Sequence, residues 1–131
     1  MTSVVLNDDA VLLVRRSDNG SWAPVTGIVD PGEHPARAAV REVLEETGIL
    51  CLVEELVWVN VTDPTVHVNG DHAQYLDHTF RCRYLGGTPY AADDESLEVR
   101  WFPLSDLPAM KAVLHDRILT AVEHVGPVRL I

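Results

Sequence analysis

The sequence is poor in cations. Its 131 residues include ten Lys and Arg against twenty Asp and Glu, which gives a formal net charge of −10, and Lys111 is the only lysine. A chain this acidic repels a phosphate backbone over long range, so we do not expect it to bind DNA or RNA. An acidic balance is typical of a soluble surface. It also suits a site for divalent cations, which would supply the positive charge that an anionic substrate needs.

Cysteines and long apolar runs are also scarce. Cys51 and Cys82 lie in the apolar stretches ILCLV and FRCRY, so we expect both to be buried as small hydrophobic residues rather than to bind zinc. No run approaches the ~20 apolar residues of a membrane span. Residues 1–7 lack the basic and apolar regions of a secretory signal, so we expect a cytoplasmic protein without a membrane partner.

The composition indicates one globular domain that spans residues 1–131, because hydrophobic residues make up 47% and charged residues 23%. Two helices are predicted: Pro35–Thr47, with Gly48 just past its end, and Pro108–Val125. Strands before and between them favour a mixed sheet with helices on its faces. The predicted strands are Ser3–Leu6, Ala10–Val14, Trp22–Val29, Ile49–Val61, Gln74–Tyr84 and Leu97–Phe102. The core face of the fifth is predicted to carry Leu76, His78, Phe80 and Cys82.

The first predicted helix separates its charges from its apolar residues. At 100° per residue, the apolar positions form one arc of about 140°, the width of a face that packs on a sheet. Glu42, Glu45 and Glu46 share one flank, and Glu46 borders the arc, so we expect Glu46 to be partly buried. Arg37 and Arg41 are placed on the opposite flank. The arc consists of Ala36, Ala39, Val40, Val43, Leu44 and Thr47.

The three carboxylates have two interpretations. Like charges three and four residues apart destabilise a helix by a few tenths of a kcal/mol per pair, and an acidic flank is nevertheless common on solvated helices. On that interpretation the cluster is incidental. Three converging carboxylates also form a site for a hard cation, with the oxygen ligands that suit Mg²⁺ or Mn²⁺.

A longer pattern favours the cation site. From Gly27 to Ile49 the chain reads GIVDPGEHPARAAVREVLEETGI, which follows G-x5-E-x7-R-E-U-x-E-E-x-G-U, where U is a bulky apolar residue. At average residue frequencies, a chance match in this chain has a probability on the order of 10⁻⁷. The sequence therefore resembles the Nudix hydrolase family at its complete signature, the Nudix box. AVLLVRR before the box and SLEVRWFPLSDLP after it also look like the family's strands, and the short chain resembles compact MutT-like members.

The resemblance implies a fold, a reaction and a cofactor. Nudix enzymes have an α+β fold, an α/β/α sandwich with a central mixed β-sheet. They hydrolyse a nucleoside diphosphate linked to another moiety by attack of water at phosphorus, with Mg²⁺ or Mn²⁺ as cofactor. Glu42, Glu45 and Glu46 match the metal ligands. The carbonyl before the box glycine often joins them, and Thr26 occupies that position here.

Further box residues match structural roles. Glu33 and Arg41 match an ion pair that steadies the box. Gly27 matches the first box glycine, and Gly48 matches the glycine that ends the helix in a left-handed conformation.

The resemblance also places Glu45, Glu46 and Arg41 in the catalytic set. Which carboxylate accepts a proton from water stays open between Glu45, Glu46 and a late residue, Glu95 or Glu98.

Substrate contacts are expected at two further positions. Arg16 matches a basic residue that often meets a phosphate in the family. Glu98 can project from the strand face opposite Val99 and Trp101, where it is either a substrate contact or a solvated residue. Trp22 precedes the box, and its ring either packs in the core or stacks on a base.

The substrate class stays open. The leading expectation is a nucleoside triphosphate, including oxidised ones, bound as a small molecule. Pro64 lies at about the distance from Gly48 that is typical of ADP-ribose pyrophosphatases, which makes ADP-ribose or a nucleotide sugar the alternative. A non-catalytic module that senses a nucleotide is a third hypothesis, although such modules usually lose the box carboxylates that this chain keeps. The family also favours a homodimer.

Overall fold

The computed structural model describes residues 1–131, whose strands form one large sheet and one small hairpin. Strands β3, β2, β1, β8 and β5 lie side by side in that order; β4 also pairs with β1, β9 pairs with β2, and β6 pairs with β7 in the hairpin. The elements in chain order are β1 (Thr2–Asn7), β2 (Ala10–Arg16), β3 (Trp22–Ala23), β4 (Val25–Thr26), α1 (Pro35–Thr47), β5 (Leu50–Val61), β6 (Thr65–Val66), β7 (His72–Ala73), β8 (Leu76–Gly86), β9 (Ser96–Pro103) and α2 (Ala112–Glu123).

The large sheet is mixed, as predicted. Strand β1 runs parallel to β8 and antiparallel to β2 and β4. Thr2 pairs with Thr26 of β4 on one side and with Thr79 of β8 on the other. This register places Thr26, the residue before the Nudix box, two strands away from Thr79 in the first half of β8.

Each face of the sheet packs against one helix. Successive residues of the central strands alternate between two cores: Val5 and Leu12 join the core that contains Val43 of α1, whereas Val4 and Leu13 join the core that contains Ile118 of α2. The fold is therefore an α/β/α sandwich, as the resemblance implied. Cys51 and Cys82 are free and buried. Neither helix is long and apolar enough to cross a membrane.

Two predicted elements differ from the observed ones. The strand predicted over 22–29 is divided into β3 and β4 at Pro24, which has no N–H group for a ladder bond. Helix α2 begins at Ala112 rather than at Pro108, because Lys111 is extended, with φ −58° and ψ 141°. The preceding Leu107 and Met110 instead pack against the α2-side core. Tertiary packing therefore overrides the helical pattern there.

The predicted core face of β8 is only half correct. Phe80 and Cys82 are in the α1-side core, but Leu76 is 60% exposed and Asp77 and Thr79 are buried. The ladder with β5 shifts register between Val53 and Glu55 and again between Leu56 and Trp58. Such irregularities bend and twist a strand, so one alternation does not continue along its whole length.

Candidate active site

Helix α1 ends as its sequence predicts. Gly48 lies in the left-handed region with φ +72°, and its N–H donates to the carbonyl of Leu44 at 3.0 Å. A Cβ on residue 48 would also collide with the ring of Tyr90. Glycine is therefore required at this position by both backbone conformation and close packing.

The buried face of α1 is rotated relative to the predicted arc. Ala39, Val43 and Thr47 are buried as expected, but Leu44 is 45% exposed and Ala36 is also exposed. The rotation carries Glu46 inward, so that only 4% of this residue is exposed. The flank that holds the carboxylates therefore faces the protein interior more than the sequence indicated.

The buried carboxylate of Glu46 meets two acidic side chains from the loop between β8 and β9. Ligand oxygens of Glu46, Asp93 and Glu95 all lie within 4.8 Å of one another. The loop is fixed to the last turn of α1 because the N–H groups of Tyr90 and Ala92 donate to the carbonyls of Thr47 and Glu46, each at 3.1 Å. These bonds satisfy carbonyls that the helix end leaves without intrahelical partners.

The electrostatics of the cluster favour a bound cation. Burial raises the pKa of Glu46 to about 8, and the nearby charges of Glu42, Asp93 and Glu95 add to the shift. Burial also raises the pKa of Glu42, although Arg41 acts in the opposite direction. A bound cation would stabilise the charged form of these buried carboxyl groups.

Arg41 corrects one sequence prediction, because it does not lie on the flank opposite the carboxylates. Its Nη1 donates to Glu42 at 3.0 Å and to Glu45 at 3.2 Å. Its Nε and Nη2 form a bidentate pair with Glu33, both bonds at 2.8 Å. These bonds lower the pKa of Glu33 to about 2. The guanidinium therefore already neutralises part of the acidic flank, and Glu46 is the carboxylate that it leaves unpaired.

The start of the box holds the neighbouring Glu42 in place. A Cβ on Gly27 would collide with Cγ and Cδ of Glu42 and would lie 2.8 Å from its Oε1. Thr26 precedes this glycine in β4, and its Oγ1 accepts a bond of 3.4 Å from Nη1 of Arg16. Arg16 is also paired with both carboxylate oxygens of Asp18, at 3.0 and 2.8 Å.

A cleft of about 1210 Å³ brings half of the predicted site residues together. Its lining includes Arg16, Thr26, Gly27, Glu42 and Glu46, together with Glu95.

Five predicted residues are not part of that lining: Arg41, Glu45, Glu98 and the structural box residues Glu33 and Gly48. Arg41 and Glu45 contact each other beside the cleft, and 55% of the Glu45 side chain is exposed. Glu98 is paired with Arg100 at 3.4 Å on β9. Of the two late carboxylates that the sequence left open, the structure therefore brings Glu95 to the cleft and leaves Glu98 outside it.

The cluster fits the divalent cation that the Nudix box implies. Glu46, Asp93 and Glu95 supply carboxylate oxygens, the donors that Mg²⁺ and Mn²⁺ prefer, and Glu42 lies beside them. Sequence reasoning missed Asp93. Its only signal was the acidic loop itself, since no spacing rule connects that loop to a helix so far away in the chain.

A family model described as NUDIX domain matches residues 2–122. The chain belongs to the Nudix family. It is 34% identical over 127 residues to a MutT-like protein of Streptomyces ambofaciens, covering 95% of this chain and 75% of that protein. It is 33% identical over 122 residues to an ADP-ribose pyrophosphatase of Methanocaldococcus jannaschii, covering 88% and 67%. A human 8-oxo-dGDP phosphatase is 36% identical over 106 residues, which are 76% of this chain but only 30% of that protein.

Solved structures agree with the fold. A NUDIX hydrolase from Nitrosomonas europaea aligns with a TM-score of 0.74 at 27% identity, covering 91% of this chain and 84% of that one. An ADP-ribose pyrophosphatase from Streptococcus suis aligns with a TM-score of 0.74 at 23% identity, covering 99% and 96%. The Nudix fold thus extends over essentially the whole chain.

Proposed function

We propose that this Nudix domain hydrolyses the phosphoanhydride bond of a small nucleotide, with Mg²⁺ or Mn²⁺ as cofactor. The observation that carries the proposal is the position of Glu46, which is buried among Glu42, Asp93 and Glu95 at the wall of the large cleft. Phosphoryl transfer needs neutralised charge and an oriented water more than covalent chemistry from the protein. A cation bound by these carboxylates and the Thr26 carbonyl would neutralise the pyrophosphate.

The protein's own residues supply the remaining parts of the mechanism. Arg16 lines the cleft, and its guanidinium is proposed to contact a phosphate. Glu46 and Glu95 are the proposed acceptors of the proton from the attacking water, because both reach the cleft. Arg41 and Glu45 are proposed to be positioning residues. Arg41 donates hydrogen bonds to Glu33, Glu42 and Glu45, and these bonds orient the helix flank that presents Glu42 to the cleft.

We propose a nucleoside triphosphate, including oxidised forms, as the first substrate class. A relative named putative 8-oxo-dGTP diphosphatase, 33% identical over 119 residues, supports this class, and the relative named 8-oxo-dGDP phosphatase supports an oxidised nucleotide. ADP-ribose is the second candidate, because one relative of similar identity is named ADP-ribose pyrophosphatase. The intact box carboxylates argue against a non-catalytic sensor of nucleotides. The free Cys51 and Cys82 fit a reducing compartment such as the cytoplasm.

A substrate panel with Mg²⁺ tests the proposal. Nucleoside triphosphates, their 8-oxo forms, nucleoside diphosphates and ADP-ribose are compared while phosphate, pyrophosphate and nucleoside monophosphate are measured separately. We expect a triphosphate to give monophosphate and pyrophosphate with the highest kcat/KM. A tenfold lead of ADP-ribose, about 1.4 kcal/mol of transition-state preference, would select the second class instead. Tight nucleotide binding without any turnover would indicate the sensor.

We also propose that the domain forms a homodimer, since twofold pairs are the commonest protein oligomers. Light scattering at tens of micromolar checks this proposal. A mass of 14.5 kDa, that of one chain, would reject it.

A further inference from the structure

The cleft has a second region that the catalytic residues do not use. Beyond the acidic cluster, its lining continues along the end of β5 and the start of β8, through Asn60, Val61, Tyr75 and Leu76. Val61 and Leu76 pair across the two strands, and each is about three-fifths exposed, at 62% and 60%. An anion-binding cleft that ends in exposed apolar side chains is suited to a ligand with a charged end and an apolar end.

Two residues with large aromatic rings line the cleft, Trp22 and Tyr75, and their surroundings differ. The ring of Trp22 is in contact on two sides: Phe102 packs against it edge to face at 4.7 Å between centroids, and the Cζ of Arg100 lies 4.9 Å from its centroid. This ring is committed to packing within the protein. Of the two interpretations open for Trp22 from its sequence position, the structure supports the packing one.

Tyr75 has a fixed position and an accessible ring. Its N–H donates to Oγ1 of Thr62 at 2.9 Å, and its carbonyl accepts from the N–H of Thr62 at 2.8 Å. Its hydroxyl is held by Nε2 of His67 at 2.7 Å. The imidazole of His67 also lies edge to face with the Tyr75 ring, at 6.1 Å between centroids, and the residue is 38% exposed, so part of the ring remains accessible.

The distance between Tyr75 and Thr26, whose carbonyl is a proposed metal ligand, suits a nucleotide. Thr26 is two strand spacings from β8 through Thr2, and Tyr75 precedes Thr79 by four residues. At about 4.8 Å per strand and about 3.3 Å per residue, the Cα atoms of Thr26 and Tyr75 are roughly 16 Å apart. Tyr75 and Thr26 line the same cleft. The sugar and the first phosphates of a nucleotide would span the distance between the Tyr75 ring and the proposed metal ligands.

We propose that the ring of Tyr75 is the surface on which the base of the nucleotide stacks, with Val61 and Leu76 beside it. This inference rests on the proposed function, since it assigns the base to one region of the same cleft. A π-face accepts any base, so this contact contributes affinity for the nucleoside without selecting among bases. The hydrogen bond between the Tyr75 hydroxyl and Nε2 of His67 restrains χ1 of the tyrosine, which lowers the entropy lost when a ligand binds.

Two kinds of ligand, one with a base and one without, measure the contribution of the base to affinity without requiring turnover. Ribose 5-phosphate and the monophosphates of adenosine, guanosine and uridine are titrated into the wild-type chain and into Tyr75→Leu by calorimetry. We expect the wild type to bind each nucleoside monophosphate more tightly than ribose 5-phosphate, and Tyr75→Leu to reduce that advantage by at least fivefold, within the range of roughly 5- to 150-fold for one base–aromatic stack. Tyr75→Phe is the matched control, because it keeps the ring and should retain most of the advantage.

The outcomes separate this inference from the proposed function. An unchanged advantage in Tyr75→Leu, or no advantage in the wild type, would overturn the stacking role. A change of mass on light scattering in Tyr75→Leu would overturn it as well, since the ring would then belong to a contact between chains. In the kinetic assay, we expect Tyr75→Leu to raise KM for every nucleotide while kcat changes less than about twofold. A wild type that hydrolyses nothing in the panel contradicts the proposed function and leaves the binding comparison decisive for Tyr75.

Discussion

Carboxylate oxygens of Glu46 and Glu95 lie within 4.8 Å of each other, although one residue is in the last turn of α1 and the other is in the loop before β9. Main-chain hydrogen bonds from Tyr90 and Ala92 to the end of the helix hold the loop there. The fold therefore brings the exposed Glu95 next to the buried Glu46, so that like charges meet before any ligand binds. Such an arrangement is unfavourable in itself and is stabilised by a ligand that carries positive charge.

The acidic cluster predicts that activity depends on a cation. We expect a chelator to abolish hydrolysis and Mg²⁺ or Mn²⁺ to restore it, while Ca²⁺ supports it poorly because its looser coordination positions groups less strictly. Glu95→Gln should raise the Mg²⁺ concentration for half-maximal activity by at least about tenfold, the lower end of the roughly 10- to 100-fold loss that follows from removing a partner at a metal site. Asp94→Asn is the matched control in the same loop, since Asp94 is exposed and outside the cluster. Equal behaviour of the two variants would argue against Glu95 as a ligand.

Glu46→Gln keeps the size of the side chain and removes its charge. We expect kcat to fall by at least ~10²-fold, as for loss of a general base or an electrostatic stabiliser. In excess chelator the variant should melt at a higher temperature than the wild type. The folded pKa of about 8 exceeds the ordinary value of 4.5, so the wild type loses stability as the pH rises from 4.5 to 8. Calorimetry should show that the difference in melting temperature between Glu46→Gln and the wild type increases from pH 4.5 to 8 and remains constant above pH 8. A near-normal kcat in Glu46→Gln would refute the assignment of Glu46 to the active site.

Gly27→Ala tests whether the first box glycine positions Glu42. The new methyl group would collide with the Glu42 side chain, which must then move. We expect kcat/KM to fall by at least ~10-fold, because a displacement of about 1 Å in a catalytic site can cost up to 10²-fold. Gly86→Ala is the control, since a Cβ there meets no atom within 4 Å. Wild-type activity in Gly27→Ala would show that the position of Glu42 does not limit the reaction.

Glu33→Gln tests the ion pair with Arg41 through acid stability. Its hydrogen bonds from Arg41 lower the folded pKa to about 2 from the ordinary 4.5, so the pair stabilises the fold above pH 4.5 and loses this contribution as the pH falls toward 2. The wild type should therefore melt at a higher temperature than Glu33→Gln at pH 7, and the two curves should converge near pH 2. A difference that is independent of pH would mean that the charge of Glu33 is not what stabilises the box.

Local sequence signals predicted α1 and much of the site. The helix runs from Pro35 to Thr47 as expected, because a proline in its first turn and a left-handed glycine after its end act within a few residues. The placement of Glu46 next to the apolar arc correctly indicated burial. The position of Arg41 was wrong, since an extended arginine reaches Glu45 one turn away and Glu33 outside the helix.

Features that depend on distant contacts were not predictable. Asp77 and Arg117 are buried together, with Oδ2 and Nε 3.6 Å apart, and both contact Thr2. The helical pattern of α2 does not predict that Arg117 is buried, because its burial depends on the partner Asp77 on strand β8. The parallel pairing of β1 with β8 is likewise invisible to turn and propensity signals, which describe neighbours in sequence.

Backbone hydrogen bonds hold the loop on both sides of Asp93, and this decides where the chain tolerates a change of length. Ala92 is bonded to the end of α1, and the carbonyl of Glu95 accepts the N–H of Ser17 after β2 at 2.9 Å. An insertion between these anchors would displace one of the two carboxylates. Extra residues at 88–89 lie before both anchors and would extend into solvent. Added length is therefore tolerated best at 88–89, whereas the spacing from Ala92 to Glu95 is fixed by the position of the acidic cluster.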